Sequence, residues 1–398
     1  MDLKTVRSRG SELQPELTRI RRELHEHPEL SWKEVETSKL IEKRLGELGF
    51  ENIRRGFKGT GSGVVADITG GKPGPCVALR ADIDALPIQE ATGLPYASVV
   101  PAVMHACGHD AHAAMLLGAA QILSEIKKDI PGKVRLIFQP AEEAGYDSGA
   151  PAMIAEGALD GVAAIGGIHA WAQLPSGKFG FRKGTCMASA DLWEMTIQGK
   201  GGHGSAPHNA IDPTVAVAHI ISMLQTVVSR EIDPLESVVV SVGKVEAGIA
   251  PNVIPDKAIV TGNVRTTTRE TRDGIETRMR RIIDGVSAAL RCETSLKYTR
   301  IYPVTVNDAG MTDIMASAAA QIVGTENIVE MPIMMGSEDF SYYGEKIPAV
   351  FAMLGIADSA KGTDNQHHSP KFAINDEVLG LGASILAGFA LTFLEGKP

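Results

Sequence analysis

MHACGHDAHAAMLL, residues 104–117, sets a thiol, three imidazoles and a carboxylate within positions 105–112 and then runs straight into an apolar, helix-spaced pattern. Cys107 and His109 lie two apart, so they cannot share one face of a helix and a turn has to present them, which suits ligands converging on a metal ion. His112 opens the apolar run, where it can cap or pack. A lone histidine or cysteine reads as a satisfied interior residue, whereas this density of ligand types reads as a metal site.

The flanking segments alternate strand and helix, as an α/β chain does. Runs 63–68 and 76–81 read as strands, and the second feeds ADIDALPIQE. Asp82 and Asp84 therefore stand at the exit of a buried strand, where open α/β sheets place their sites. They read as support for the metal site or as aspartates that shape the turn. Downstream, 113–126 reads as a helix, Pro131-Gly132 as a turn, and 134–138 as a buried strand ending in QPAEEAGYDSGA. Neighbouring side chains of an extended segment point opposite ways, so Glu142 and Glu143 are expected to divide their work. One carboxylate would bind metal while the other faces a substrate as general base. A third strand, 162–168, hands over His169 and Trp171, and GTDNQHHSPKF brings His367 and His368 before a Ser-Pro turn. Towards the N-terminus, apolar residues at helical spacing predict helices over 11–27 and 33–48, with His25 and His27 structural.

Residues 188–306 have a different character. Strands at 192–197, 238–242, 258–264 and 294–301 and helices at 213–229 and 272–290 follow in βαββαβ order, which predicts a ferredoxin-like sandwich of two helices on an antiparallel sheet. Candidate ligands stand on both sides of it. The economical organisation is an inserted domain, 188–306, within a metal-binding domain built from 1–187 and 307–398. The insert carries GKGGHGSAPH, in which His203 sits among glycines after a strand; such a loop is mobile or closely approached by something, or it is an ordinary glycine-rich hairpin carrying a surface histidine. It is no phosphate loop, because Gly-Lys is not followed by Ser or Thr before a helix.

Composition narrows the function classes. At 398 residues two domains are the natural expectation, and 44% hydrophobic with 22% charged residues is ordinary globular composition. A net charge of -9 argues against a nucleic-acid surface and an anionic membrane. The N-terminal residues lack the apolar core of a signal peptide, and the uncharged run 378–394 reads as a buried helix. Cys76, Cys107, Cys186 and Cys292 have no paired spacing, so a reducing cytoplasm is expected.

HACGHDAH, PAEEAG, GIHAW, GKGGHGSAPH, PNVIPD, GSEDF and HHSPKF, in this order over 21–387, resemble the two-metal amidohydrolases related to hippurate hydrolase, bacterial N-acyl amino acid deacetylases and plant auxin-conjugate hydrolases. The resemblance implies a zinc-exopeptidase-like α/β catalytic domain with an inserted lid that dimerises, giving a homodimer or a higher homo-oligomer. It implies two divalent ions, Zn, Mn, Co or Ni, on Cys107, His109, Glu143, His169 and His368, with Cys107 in the bridging place that an aspartate holds in related carboxypeptidases. Glu142 would be the catalytic carboxylate and His203 an oxyanion donor. The expected reaction is hydrolysis of a small N-acyl amino acid. Asn252 and Arg265 are candidates to grip its carboxylate, which a bidentate Arg suits, and Arg265 reads equally as a surface residue at a strand end. The chain departs from the pattern at Tyr146–Ser148, Ala172 and Asn263, none of which removes a ligand or the base. A metallo-carboxypeptidase or dipeptidase is the nearest rival. A catalytically silent binding protein is a second, although binding alone would not need Glu142.

Overall fold

The computed structural model describes residues 2–396 and divides into two compact units. The first holds the chain up to Cys186, Val306–Pro332 and the chain from Asp339 onward; the second holds Met187–Thr305 and Ile333–Glu338.

The first unit begins with α1 (Leu3–Glu26) and α2 (Val35–Glu47), then β1 (Glu51–Phe57), β2 (Ser62–Thr69), β3 (Lys72–Asp82), α3 (His109–Glu125), β4 (Pro131–Gln139), α4 (Gly149–Ala155), β5 (Ala164–Pro175) and β6 (Phe179–Phe181). The short strands β7 (Gly184–Met187) and, later, β14 (Thr305–Asn307) carry the chain out of this unit and back. It then adds α7 (Ala309–Val323), β15 (Ile328–Glu330), α8 (Ser341–Gly344), β16 (Ala349–Ala357) and α9 (Leu379–Leu394). The eight strands form one sheet in the order β1-β2-β4-β3-β5-β16-β6-β15, in which β4, β3, β5 and β16 run parallel.

Parallel strands are buried on both faces, and the sequences follow suit: β16, AVFAMLGIA, is buried from Ala349 to Ile356. Helix α3 is buried almost all round, with α1 and α9 packed against it. Gly10 and Gly380 let α1 and α9 approach, since a Cβ on Gly10 would stand 2.4 Å from the Gly380 carbonyl oxygen. The stretch Asp376–Leu394 is long and apolar enough to cross a membrane, yet 83% of its most apolar window is buried in the protein. It is a core helix, as expected of the uncharged run 378–394.

The second unit runs β8 (Ala190–Gln198), β9 (Gly202–His203), α5 (Pro213–Glu231), β10 (Val238–Ala247), β11 (Val253–Ile254), β12 (Lys257–Thr266), α6 (Arg269–Leu290) and β13 (Glu293–Tyr302). Its four long strands pair antiparallel in the order β10-β12-β8-β13, the ferredoxin-like order expected of the βαββαβ pattern. Alternation places Trp193, Met195 and Ile197 of β8 in a core with Ile220 and Leu224 of α5 and Ile275 and Met279 of α6. Asp212 caps α5 by accepting from the Thr214 N–H at 2.8 Å, and Thr268 caps α6 by accepting from the Thr271 N–H at 3.2 Å.

Candidate metal centre

The chain leaves β3 for β4 on one side and returns as β5 on the other, so the sheet reverses its direction of growth at β3. The carboxyl ends of β3, β4 and β5 border the crevice that such a reversal opens. Asp82 and Asp84 arrive from β3, Glu142 and Glu143 from the turn after β4, and His169 from β5. Gly108, with φ of 93°, turns the chain so that Cys107 precedes α3 and His109 is its first residue. Helix α3 thus starts earlier than its apolar run, because His109, Asp110 and His112 carry no hydrophobic periodicity. His169 is likewise inside its strand and not beyond it.

Two groups of side chains share one sulfur. The candidate ligand atoms of Cys107, His109 and His169 lie within 4.8 Å of one another, as do those of Cys107, Glu143 and His368. Cys107 Sγ is 3.6 Å from His169 Nε2, and His368 Nε2 is 3.0 Å from Glu143 Oε1. Glu142 falls in a group with His109 and Glu143 but in neither group that contains Cys107. His368 reaches its place through a left-handed backbone, φ 63°, of the kind found where the surroundings impose strain for function.

The histidines are oriented from behind. Asp84 Oδ1 lies 3.1 Å from His109 Nδ1 and its other oxygen accepts from the Glu143 N–H at 3.0 Å, so one carboxylate aligns members of both groups. His169 Nδ1 donates to the Ala170 carbonyl at 2.7 Å, which leaves Nε2 towards Cys107. His112 is used at both nitrogens, Nδ1 on Asp82 at 2.5 Å and Nε2 accepting the Ala170 N–H at 2.8 Å; it packs and orients and has no lone pair left for a metal. His367 Nε2 donates to the same Ala170 carbonyl at 2.8 Å.

The donor set fits a divalent cation. Sulfur, imidazole and carboxylate suit zinc and its neighbours. His109 Nε2 is buried without a hydrogen-bond partner while Nδ1 is taken by Asp84, the arrangement of a ligand awaiting an ion. Burial, and then Glu143, push the Cys107 thiol up, so a thiolate here needs positive charge beside it. Burial opposes the charged form of His109, yet Asp82 and the Cys107 sulfur outweigh it and hold the ring well above its ordinary value. Hydrogen bonds to Cys107 and Glu143 push His368 up to about 10. The pocket therefore carries a surplus of negative charge that attracts protons or a metal ion.

Glu142 and Glu143 are not on an extended segment. Ala141 adopts the left-handed conformation, φ 55° and ψ 42°, and the two glutamates follow on a 3-10 turn. The pair still diverges: Glu142 is buried, with Oε1 3.4 Å from the Asp339 N–H, while Glu143 faces His368. Sequence reading did not pick out Gln139 or Arg80, and met Asp339 only within GSEDF, with no role given to it. Arg80 donates to Asp82 and Gln139, the last residues of β3 and β4, and to Asp339, which precedes α8; all are buried. For Arg80 and Gln139 the signal was polarity at the ends of apolar strands, and for Asp339 its place in GSEDF.

The other candidates belong to the second unit. His203, on β9, is exposed; its Nδ1 accepts from the Ser205 N–H at 3.1 Å, which places the ring proton on Nε2. Asn252 is exposed next to β11 and its carbonyl accepts from the Gly204 N–H at 2.8 Å. Arg265, half-buried on β12, donates to Ser337 Oγ at 2.7 Å. All four cysteines are free.

Comparison with known proteins places this arrangement. The model of peptidase family M20/M25/M40 matches residues 78–392. N-acetylcysteine deacetylase of Bacillus subtilis is 43% identical over 95% of this chain and 97% of its own. IAA-amino acid hydrolase ILR1-like 2 of Arabidopsis thaliana is 45% identical over 96% of this chain and 86% of its own. Thermostable carboxypeptidase 2 of Saccharolobus solfataricus is 41% identical over 99% of each. Among solved structures, the YXEP protein of Bacillus subtilis, a dinuclear metal binding peptidase, superposes with a TM-score of 0.84 at 40% identity, covering 96% of this chain and 99% of that one. With the family model spanning most of the sequence and such relatives along nearly its full length, the chain belongs to peptidase family M20/M25/M40 and is a hydrolase.

Proposed function

We propose that the chain hydrolyses the amide bond of N-acyl amino acids, releasing a carboxylic acid and a free amino acid, with two divalent ions held by Cys107, His109, Glu143, His169 and His368. The observation that carries this reading is the pair of ligand groups sharing Cys107 Sγ, with a second carboxylate, Glu142, beside them. The names of the deacetylase and of the auxin-conjugate hydrolase support the substrate class. The ions, when bound, supply Lewis acidity towards a carbonyl oxygen and towards water. Glu142 takes the proton of the attacking water and returns it to the leaving nitrogen. His203 offers Nε2–H to the developing oxyanion. Arg265 and Asn252 grip the carboxylate of the amino acid, a group that a planar guanidinium matches. The native ion is Zn, Mn, Co or Ni, the second unit serves as lid and dimer contact, and the enzyme works in the cytoplasm as a homodimer.

The test is a screen of acetyl, benzoyl, indole-acetyl and long-chain acyl amino acids, beside dipeptides, with each of the four metals. Hydrolysis of at least one acyl class, abolished by chelation and restored by metal, is the expected result. Full activity in a metal-stripped sample overturns the reading, and hydrolysis of dipeptides alone moves the chain to the carboxypeptidase side, which the Saccharolobus relative represents.

Where His203 acts is tested by mixing. In a two-fold dimer the loop of an inserted lid can serve the partner's metals. His203→Ala and Glu142→Gln chains, each nearly inactive, should then recover about a quarter of wild-type activity when mixed equally and allowed to exchange, since half the dimers are mixed and each has one complete site. Activity that stays at the level of the separate mutants after proven exchange assigns His203 to its own chain.

A further inference from the structure

Glu34 lies at the head of α2, far in sequence from the metal centre, and its side chain is fully buried. It does not cap its own helix. That work falls to Glu29, whose oxygens accept from the Glu36 N–H at 3.2 Å and the Thr37 N–H at 2.8 Å. The Glu34 carboxyl turns inward instead, and Oε1 accepts the N–H of Ala141 at 2.8 Å.

Ala141 is the residue whose conformation sends the chain from β4 into the Glu142–Glu143 turn. It is fully buried, and for a residue with a Cβ its left-handed backbone is strained. Such a conformation persists only where its surroundings over-determine it. The Ala141 carbonyl accepts from the Gly149 N–H at 3.0 Å, and Glu34 holds its N–H. The preceding Pro140 is seated against Gly63, whose φ of 84° and missing Cβ leave room for it: a Cβ there would stand 2.8 Å from Pro140 Cδ. Gly63 is in turn tied to the first turn of α2, its N–H donating to Ser38 Oγ at 2.8 Å while that hydroxyl donates to the Glu34 carbonyl at 2.5 Å. The turn is thus clamped from the α2 side by two linked contacts, one through the Glu34 side chain and one through its backbone.

We infer that Glu34 is a positioning residue: by accepting the Ala141 N–H it fixes the left-handed turn that aims Glu142 into the crevice. The inference rests on the assignment of Glu142 as the proton-transfer carboxylate. Independently of that geometry, burial and the neighbouring Asp84 push Glu34 up to about 8, so it sits by the turn as a neutral acid and adds no charge to a crevice already rich in carboxylates. A neutral acceptor at this point is what glutamine also supplies.

The test compares Glu34→Gln, which keeps reach and acceptor, with Glu34→Asp, one methylene too short, and Glu34→Met, of similar length without an oxygen. A misplacement of about 1 Å at a reacting group costs about 10²-fold, so Asp and Met are expected to lose about 10- to 100-fold in kcat, with KM and metal content held within about twofold and Gln within about threefold of wild type. Hydrogen exchange over 139–145 in the metal-loaded protein gives a readout that needs no substrate: faster in Asp and Met, unchanged in Gln. Either of the two disruptive variants suffices if the other does not fold. The inference is overturned if Asp and Met exchange and turn over like wild type, if Gln falls as far as they do, or if metal is lost in step with kcat. Should no N-acyl amino acid prove to be a substrate, the exchange comparison still decides whether Glu34 holds the turn.

Discussion

Glu142→Gln keeps its metals and loses about 10² to 10⁴ in kcat, the worth of a general acid-base group. Glutamine has the shape of glutamate and retains an oxygen for the Asp339 N–H, which lies 3.4 Å from Glu142 Oε1, so the side chain can stay where it is. What it cannot do is take a proton from water and give it to a leaving nitrogen. Glu143→Gln behaves in the opposite way. It removes negative charge 3.0 Å from His368 Nε2 and beside Cys107, so metal content falls first and activity follows. Metal analysis after gel filtration, paired with steady-state rates, separates the two. A Glu142→Gln enzyme that loses metal while Glu143→Gln keeps it would mean that the pair has been assigned in reverse.

How much of this was legible depends on distance along the chain. The ligand-rich stretch at 105–112 could be read because five informative side chains fall within one turn and the start of a helix. The antiparallel insert could be read because Trp193, Met195 and Ile197 alternate with polar neighbours over a whole strand. Strand β16 carries no such mark. Its uninterrupted apolar run has neither the two-residue nor the helical period, so a buried strand and a buried helix look alike. The conformation of the Glu142–Glu143 turn was hidden for a different reason. Nothing about an alanine announces a left-handed backbone, and the group that holds it, Glu34, comes from 107 residues away. Asp339, which meets Gln139 and Arg80, is more remote still. Short-range pattern reports which chemistry a turn offers, whereas the aim of each side chain is set by buried polar partners that only the folded chain brings together.

Cys107→Ala tests the feature that joins the two ligand groups. Any single histidine or glutamate in the set belongs to one of the two groups that contain Cys107, so its removal leaves the other complete; Cys107 belongs to both. Its loss should therefore lower the affinity of two ions at once and not of one, and the protein is expected to purify with less than one ion per chain. Activity should fall by more than about 10³-fold, since one oxyanion-stabilising donor alone is worth about 10² to 10³. His368→Ala, in contrast, should retain an ion on Cys107, His109 and His169. The decisive companion is Cys107→Asp. A carboxylate can span two ions as a thiolate can, and it needs no help to ionise, whereas burial and Glu143 push the Cys107 thiol up. Cys107→Asp should thus recover two ions and part of the rate, with a preference shifted from softer ions towards Mn. Should Cys107→Ala keep two ions and full activity, the sulfur is a packing residue and the two groups do not share a ligand. Should Cys107→Asp bind one ion where the wild type binds two, the place demands sulfur in particular, and the bridging role gives way to an ordinary ligand of a single ion.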